Sequence, residues 1–356
     1  MKNLHTILAA LLLVPLTASA QAAPAQAAPA AIPSAPLPQT PTPQAPVVVT
    51  PVDPLPPPNP KYFTAASPTV DTVNSFLKAL WGYDPNRIWR VMGIQTTAAP
   101  GIAKVTVFVT DKTPNAKIQP FGFYVTPDGK HVIAEGAGVV PFGANPFADI
   151  RAMLQARANG ATRGAAGKGL LLVEFADLQC PHCEEAQATM DNIVHDFPAA
   201  DVVFQLFPLV DIHPSAAKAA AFGICVQQQS NDAFFKYAAG VFDTQDALTP
   251  ATDDTVLKAA VTRAGLDAAA IATCAATPAT AALVAADIKL AEDAGADQTP
   301  LLSVNGRMLP VGQISYEQLK QIIVYQATLD GVPTGASADI LTPKPPPQPT
   351  LSTLPK

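Results

Sequence analysis

Between residues 61 and 332 the chain moves between two hydrophobic rhythms, and outside those limits it shows neither. After Pro68-Thr69, the residues Val70, Val73, Phe76, Leu77 and Leu80 recur at helical spacing, and Gly82 with Asp84-Pro85 ends the run. Strand-like runs follow at 88–95, 102–111, 120–126 and 131–140. The last two are joined by Thr126-Pro127-Asp128-Gly129-Lys130, a strong hairpin signal. A helix starting at Asn145-Pro146 runs through Ala158. Residues 61–158 are therefore expected to form a small α+β domain, with a helix packed on a curled antiparallel sheet. Trp81 and Trp89 read as core or rim aromatics of that domain.

Residues 159–169 are rich in Gly and Ala and have no hydrophobic period, which predicts a flexible connector and the domain boundary. From Lys168 the pattern changes. Residues 170–175 are a continuous apolar run, as in a strand buried on both faces. A helix over 180–197 and a second buried-type strand over 202–210 complete a βαβ unit. Residues 214–295 are Ala-rich and helical. Two short strands at 300–305 and 308–311 meet at Asn305-Gly306, and a helix over 315–329 closes the domain. The predicted order is β-α-β, a helical insertion, then β-β-α.

The ends differ in kind. Lys2, the apolar stretch 4–16 and Ala18-Ser19-Ala20 have the layout of an export signal, with cleavage expected after Ala20 or Ala22. The apolar stretch is short for a membrane span, and no cysteine precedes Cys180 to carry a lipid. Residues 21–60 are mostly Ala, Pro, Gln, Thr and Val, too poor in burial-competent side chains to offset their ordering entropy. They are expected to be a disordered linker, and 333–356 a Pro-rich disordered tail of the same character. The mature protein is placed in the periplasm or otherwise outside the cytoplasm, where disulfides persist. Net charge is −6 with no basic cluster, which gives no support to nucleic-acid binding.

Candidate chemistry centres on Cys180-Pro181-His182-Cys183, at the junction of a buried strand and a helix. Haem attachment is excluded because residue 184 is Glu rather than His. A zinc site wants further paired ligands, and Cys225 and Cys274 stand alone. A structural disulfide and a redox dithiol remain open, and local chemistry favours the dithiol. The helix start offers unpaired N–H groups and the positive end of a dipole to a Cys180 thiolate. Pro181 suits the first turn, where its missing N–H costs little. A cationic His182 would lower the Cys180 pKa further. A stabilised thiolate favours the reduced form, so the disulfide oxidises other thiols. Cys180 is then the nucleophile and Cys183 the buried resolving thiol. No metal and no cofactor is expected.

The stretch Glu174-Phe175-Ala176-Asp177-Leu178-Gln179-Cys180-Pro181-His182-Cys183 resembles the active site of DsbA-like thioredoxin-fold proteins, and the element order over 168–332 is similar, with a helical insertion at about 214–295. The resemblance implies an α/β thioredoxin fold and thiol–disulfide exchange in the periplasm. It implies a cis-proline at Pro300, with Thr299 and Pro300 docking the substrate peptide, and Glu174 as a buried proton relay. It also implies a structural disulfide between Cys225 and Cys274; two buried free thiols are the alternative. His213 reads as the start of the first inserted helix, without a catalytic role. One departure stands out: strong oxidases of the family have Val where this chain has Thr299. Threonine there resembles the isomerase and reductase branch, DsbC and DsbG, whose N-terminal α+β (cystatin-like) domain dimerises. Residues 61–158 resemble that arrangement in order and size.

The expected function is an exported thiol–disulfide oxidoreductase acting on unfolded thiol-containing exported proteins, reoxidised by a membrane partner of the DsbB or VKOR type. The alternatives are a periplasmic isomerase or reductase, and a non-catalytic chaperone or binding protein. The N-terminal domain is a candidate for homodimerisation, and a monomer would count against the isomerase reading.

Overall fold

The computed structural model describes residues 54–113, 115–134, 138–337 and 340. The leader at 1–20, most of the linker at 21–60 and most of the tail at 333–356 lie outside the described residues.

Helix α1 (Val70–Trp81) is capped by the Thr69 hydroxyl, which accepts from the Thr72 N–H. Its apolar stripe, Val73, Phe76, Leu77 and Leu80, is fully buried. It packs on a five-stranded antiparallel meander: β1 (Arg87–Thr96), β2 (Ala103–Asp111), β3 (Gln119–Val125), β4 (His131–Ala134) and β5 (Gly138–Pro141). The run at 131–140, expected as one strand, is two: β4 pairs antiparallel with β5, with Val132 opposite Val140. Apolar alternation continues through both arms of such a tight hairpin, so the pattern alone reads as one long strand. Trp81 is buried edge-on against Trp89 and Phe121, as a core aromatic should be.

The second sheet has the order β10-β9-β7-β8-β6, built from β6 (Ala161–Gly164), β7 (Leu170–Ala176), β8 (Ala200–Leu206), β9 (Leu301–Val304) and β10 (Arg307–Pro310). Strands β7 and β8 are parallel and buried at every position. Strands β9 and β10 form an antiparallel hairpin on the other side of β7. Asn305 and Gly306 both have positive φ, 46° and 89°, as a two-residue type I′ turn requires. A Cβ at Gly306 would run into the Phe147 carbonyl, so the turn seats against the start of α2 (Ala148–Arg157).

Helix α3 (Pro181–Asp196) follows β7, and α9 (Tyr316–Leu329) closes the fold. Between β8 and β9 lie α4 (Ala216–Gln227), α5 (Asn231–Phe242), α6 (Asp253–Arg263), α7 (Ala268–Ala275) and α8 (Pro278–Ala294). The insertion is tied by a Cys225–Cys274 disulfide with 49 residues of separation. A closure of that length contributes about 4 kcal/mol on the chain-entropy view. The first inserted helix begins at Ala216 rather than at His213.

The expected connector needs correction. Residues 161–164, expected within a flexible connector, are edge strand β6, paired antiparallel with β8. The backbone N–H groups of Asn159 and Gly160 both donate to the buried Gln205 Oε1. Helix α2 packs its Leu154 against Leu171 and Val173 of the second domain. Helix α2 thus follows the first sheet in the chain while packing on the second. Short glycine-rich pairing on a sheet edge carries no hydrophobic period for the sequence to display.

The two units share one core. Val73, Phe76 and Leu80 belong to the same apolar cluster as Leu172, Leu309 and Ile322. The last turn of α1 leaves carbonyls without helical partners, and the second domain supplies them. Tyr325 adds its hydroxyl at 2.5 Å as a second donor to the Lys78 carbonyl, which already accepts from the Gly82 N–H at 2.9 Å. Arg307, with no exposed surface, donates Nη1 to the Leu80 carbonyl at 3.1 Å, Nη2 to the Ala79 carbonyl, and Nε to Gln326 Oε1 at 3.1 Å. Its guanidinium lies 4.4 Å from the Phe147 ring centre. Burial lowers its pKa to about 10, which leaves it charged at neutral pH.

The chain ends are also drawn in further than composition implies. Leu55 is buried, and the carbonyls of Leu55 and Pro56 accept from Arg90 Nη1 at 2.5 and 3.0 Å. The disordered linker expected to reach residue 60 thus gives way to packed chain by residue 55. In the tail, the Thr334 carbonyl accepts from the Ala199 N–H at 3.1 Å, and Ala336 and Ile340 lie on the core.

Candidate active site

Strand β7 delivers the site. Its C-terminal end turns through Asp177-Leu178-Gln179 into α3, with Cys180 as N-cap and Pro181 in the first helical position. Both cysteines are in the thiol form. Cys180 retains 5% exposure and Cys183 none, so Cys180 is the sulfur nearer to solvent. Across from them Thr299-Pro300 is a cis peptide, and the Cys180 thiol donates to the Thr299 carbonyl at 3.7 Å. Thr299 and Pro300 are thereby placed beside the dithiol.

The Cys180 thiol is lowered to about 5. The largest cause is the hydrogen bond from the Cys183 thiol, followed among the favourable ones by Thr299 and the backbone N–H groups of Cys183 and His182 at the helix start. Among the described residues the buried Thr299 hydroxyl has no other partner, which leaves it free for the sulfur. Burial acts on Cys183 in the opposite sense and pushes its thiol far up, reinforced by the neighbouring Cys180 thiolate. The two thiols are thus driven apart: one ionised near neutrality, the other protonated.

His182, expected as a cation beside Cys180, does respond to the Cys180 charge but pairs first with Glu185. Its side chain is exposed, and Nδ1 lies 2.9 Å from Glu185 Oε2. Its pKa is raised by Glu185 first and by the Cys180 charge afterwards. The imidazolium is therefore shared with a carboxylate one turn along the helix. What His182 gives Cys180 most directly is its backbone N–H.

Glu174 is fully buried in the middle of β7. Its Oε1 accepts from Gln187 Nε2 at 2.8 Å, and its Oε2 lies 3.7 Å from Arg163 Nη2. The same Gln187 Nε2 donates to the Cys183 carbonyl at 3.0 Å, so one amide joins Glu174 to Cys183. Arg163 goes on to Asp191 at 2.7 Å, near the surface. Burial, only partly offset by Arg163 and Gln187, pushes the Glu174 carboxyl up to about 7. The folded state then keeps a proton that the unfolded chain releases, and this penalty grows as pH rises from about 4.5 to about 7. Glu174→Gln is expected to stabilise the protein by roughly 3 kcal/mol at pH 8 and by nothing measurable at pH 4. Chemical denaturation at the two pH values checks this; equal effects at both would refute the raised pKa.

Residues to which the sequence reading gave no part in the site complete it. Gln187 sits one helical turn after Cys183, a spacing that was visible in advance. Arg163 lay in the supposed connector. Asp177 and His213 are brought together from positions 36 residues apart, with His213 Nδ1 2.7 Å from Asp177 Oδ2. Among the described residues no group of three or more His, Cys, Asp or Glu side chains is arranged to hold a metal ion.

Fold and site together give a thioredoxin-fold domain with a helical insertion and a pair of thiols, Cys180 and Cys183, at the start of α3. Residues 160–324, just under half the chain, match the family model described as Thioredoxin. Among solved structures the chain is similar to a thioredoxin-like oxidoreductase from Silicibacter pomeroyi DSS-3, with 24% identity, 50% of this chain and 98% of that one covered, and a TM-score of 0.42. It is similar to the catalytic domain of Proteus mirabilis ScsC at 23% identity, 50% and 98% coverage and a TM-score of 0.41. It is also similar to oxidised BdbD from Bacillus subtilis at 18% identity, 48% and 94% coverage and a TM-score of 0.42. Among curated proteins, 145 residues are 30% identical to the Na(+)/H(+) antiporter NhaA 3 of Salinispora tropica, covering 41% of this chain. The chain spans about a fifth of the length of the curated relatives it matches, 21% in each case. No single helix among the described residues is long and apolar enough to cross a membrane; α7 and α8 pass that test only as a pair bent by 70°.

Proposed function

We propose that this chain is an exported thiol–disulfide oxidoreductase that donates disulfides to thiols of unfolded exported polypeptides through Cys180 and Cys183. The observation that carries the reading is the opposed ionisation of the pair, with Cys180 lowered to about 5. A stabilised thiolate makes the reduced enzyme the favoured state, so the oxidised enzyme gives its disulfide away. A substrate thiolate attacks Cys180, the substrate–Cys180 disulfide forms, and Cys183 leaves with the electron pair of the broken bond. A second substrate thiolate then attacks the substrate sulfur of the mixed disulfide and releases Cys180 as a thiolate. Glu174, linked through Gln187, supplies the proton that the buried Cys183 sulfur takes up. The cis Thr299-Pro300 segment holds the incoming peptide against Cys180. Two strongly exposed apolar side chains, Val210 and Ile212, stand on the loop that the Asp177 carboxylate anchors, and they suit an unfolded chain rather than a small polar thiol.

Export rests on the leader-like pattern at 1–20. Reoxidation calls for a membrane redox partner of the DsbB or VKOR type. Thr299 and the additional N-terminal domain support a second reading, a periplasmic isomerase or reductase kept reduced and acting as a homodimer. The equilibrium reduction potential separates the two. Titrated against glutathione and read by alkylation and mass, a value near about −120 mV supports the oxidase. A value at about −200 mV or below moves the assignment to the second reading.

A further inference from the structure

Asp177 takes no part in the steps above, yet it is bonded to both halves of the redox pair. Its backbone N–H donates to Cys183 Sγ at 3.4 Å, and its carbonyl accepts from the Cys180 N–H at 3.1 Å. Its side chain has no exposed surface and is held on three sides. Oδ1 accepts from the Gln179 N–H at 2.7 Å. Oδ2 accepts from the Leu209 N–H at 2.8 Å and pairs with His213 Nδ1 at 2.7 Å. A carboxylate buried this close to a thiolate needs a reason, because it raises the local negative potential. The reason legible in the geometry is orientation: three bonds to the carboxylate fix the peptide whose N–H faces the Cys183 sulfur.

We propose that Asp177 and His213 are a positioning pair that aims the Asp177 N–H at Cys183, so that this N–H receives the Cys183 thiolate as it leaves. The inference deepens the thiol–disulfide reading and rests on it. In the step concerned, the attacking thiolate forms its bond to Cys180 Sγ while the Cys180–Cys183 bond breaks. The attacking sulfur is oxidised to the disulfide level, and Cys183 is reduced and carries the electron pair. Burial makes a thiolate at Cys183 an unfavourable leaving group, and exchange slows as the leaving thiol becomes more basic. One well-aimed N–H opposes that burden where no water can. His213 is a positioning residue here, since it touches Asp177 and not the sulfur.

The test compares the parent with Asp177→Asn, His213→Ala and His213→Asn. An asparagine at 213 can still present an N–H where Nδ1 stood. The reaction is attack of reduced glutathione on the oxidised protein at pH 7, with acid quench and mass detection of the adduct on Cys180. Asp177→Asn and His213→Ala are expected to slow this step by about 10- to 100-fold, with His213→Asn restored to within a few-fold of the parent. Alkylation of Cys180 in the reduced proteins is expected to stay within about twofold, because that reaction has no leaving Cys183. Parental exchange rates in both Asp177→Asn and His213→Ala would overturn the proposal. So would equal losses in His213→Ala and His213→Asn, or alkylation falling in step with exchange, since a loosened fold would produce either. A parent that fails to exceed the uncatalysed rate overturns the oxidoreductase reading itself, and that result is read before any variant.

Discussion

Cys180→Ser is expected to bring thiol–disulfide exchange down to the uncatalysed rate, a loss on the order of 10³-fold or more. The hydroxyl that replaces the thiol does not ionise near neutrality, so the group lowered to about 5 by Cys183, Thr299 and two backbone N–H donors is gone. Cys183→Ser is expected to behave differently. It keeps the reactive thiolate but removes the sulfur that resolves the mixed disulfide, so substrate accumulates as a covalent adduct on Cys180. The Cys225–Cys274 bridge lies elsewhere, in the insertion, and persists in both variants. An insulin-reduction or protein-oxidation assay with adduct detection by mass measures all three proteins. Full exchange activity in Cys180→Ser would remove the enzyme reading. Retained suppression of aggregation, with no exchange in the parent, would leave the chaperone alternative.

Arg307→Met is expected to cost about 3–5 kcal/mol of stability. Met has similar length and fills the space, so the loss reports hydrogen bonding rather than a cavity. The Ala79 and Leu80 carbonyls at the end of α1 would lose their donors inside the shared core, and an unsatisfied buried group carries its full desolvation cost. Arg307→Lys keeps the charge but not the planar fork that serves three acceptors at once, so it recovers only part of the loss. Because these bonds join the two units, Arg307→Met should also split the unfolding transition and expose residues 142–147 to protease. A single transition within about 1 kcal/mol of the parent would show that the shared apolar core, not Arg307, holds the units together.

Much of the second domain was readable in advance. Strand β7 is a continuous apolar run, α3 begins where Cys180-Pro181 says a helix can begin, and Asn305-Gly306 joins two short strands. Each of these rests on interactions within a few residues, such as periodicity, caps and turn conformation. The pairing of Cys225 with Cys274 and the cis bond before Pro300 came through family resemblance, and the structure contains both. The reading of Glu174 as buried was also met, but its partner Arg163 was hidden in a stretch without a hydrophobic period.

Local pattern by itself therefore determined most of the strands and helices, though not the edge strand β6 or the division of β4 from β5, and where the Cys180–Cys183 pair stands. Tertiary structure alone decided what surrounds that dithiol and how the two units are joined. Asp177 meets His213 across 36 residues, and Arg307 meets Leu80 across 227. Leu55 is buried although its neighbours are prolines. The physical reason is the same in each case. A lone polar or apolar residue carries no period, and its partner is fixed only when a distant part of the chain is folded against it. His182 shows the converse: its spacing was legible, but its nearest charge is Glu185, and only side-chain geometry reveals that.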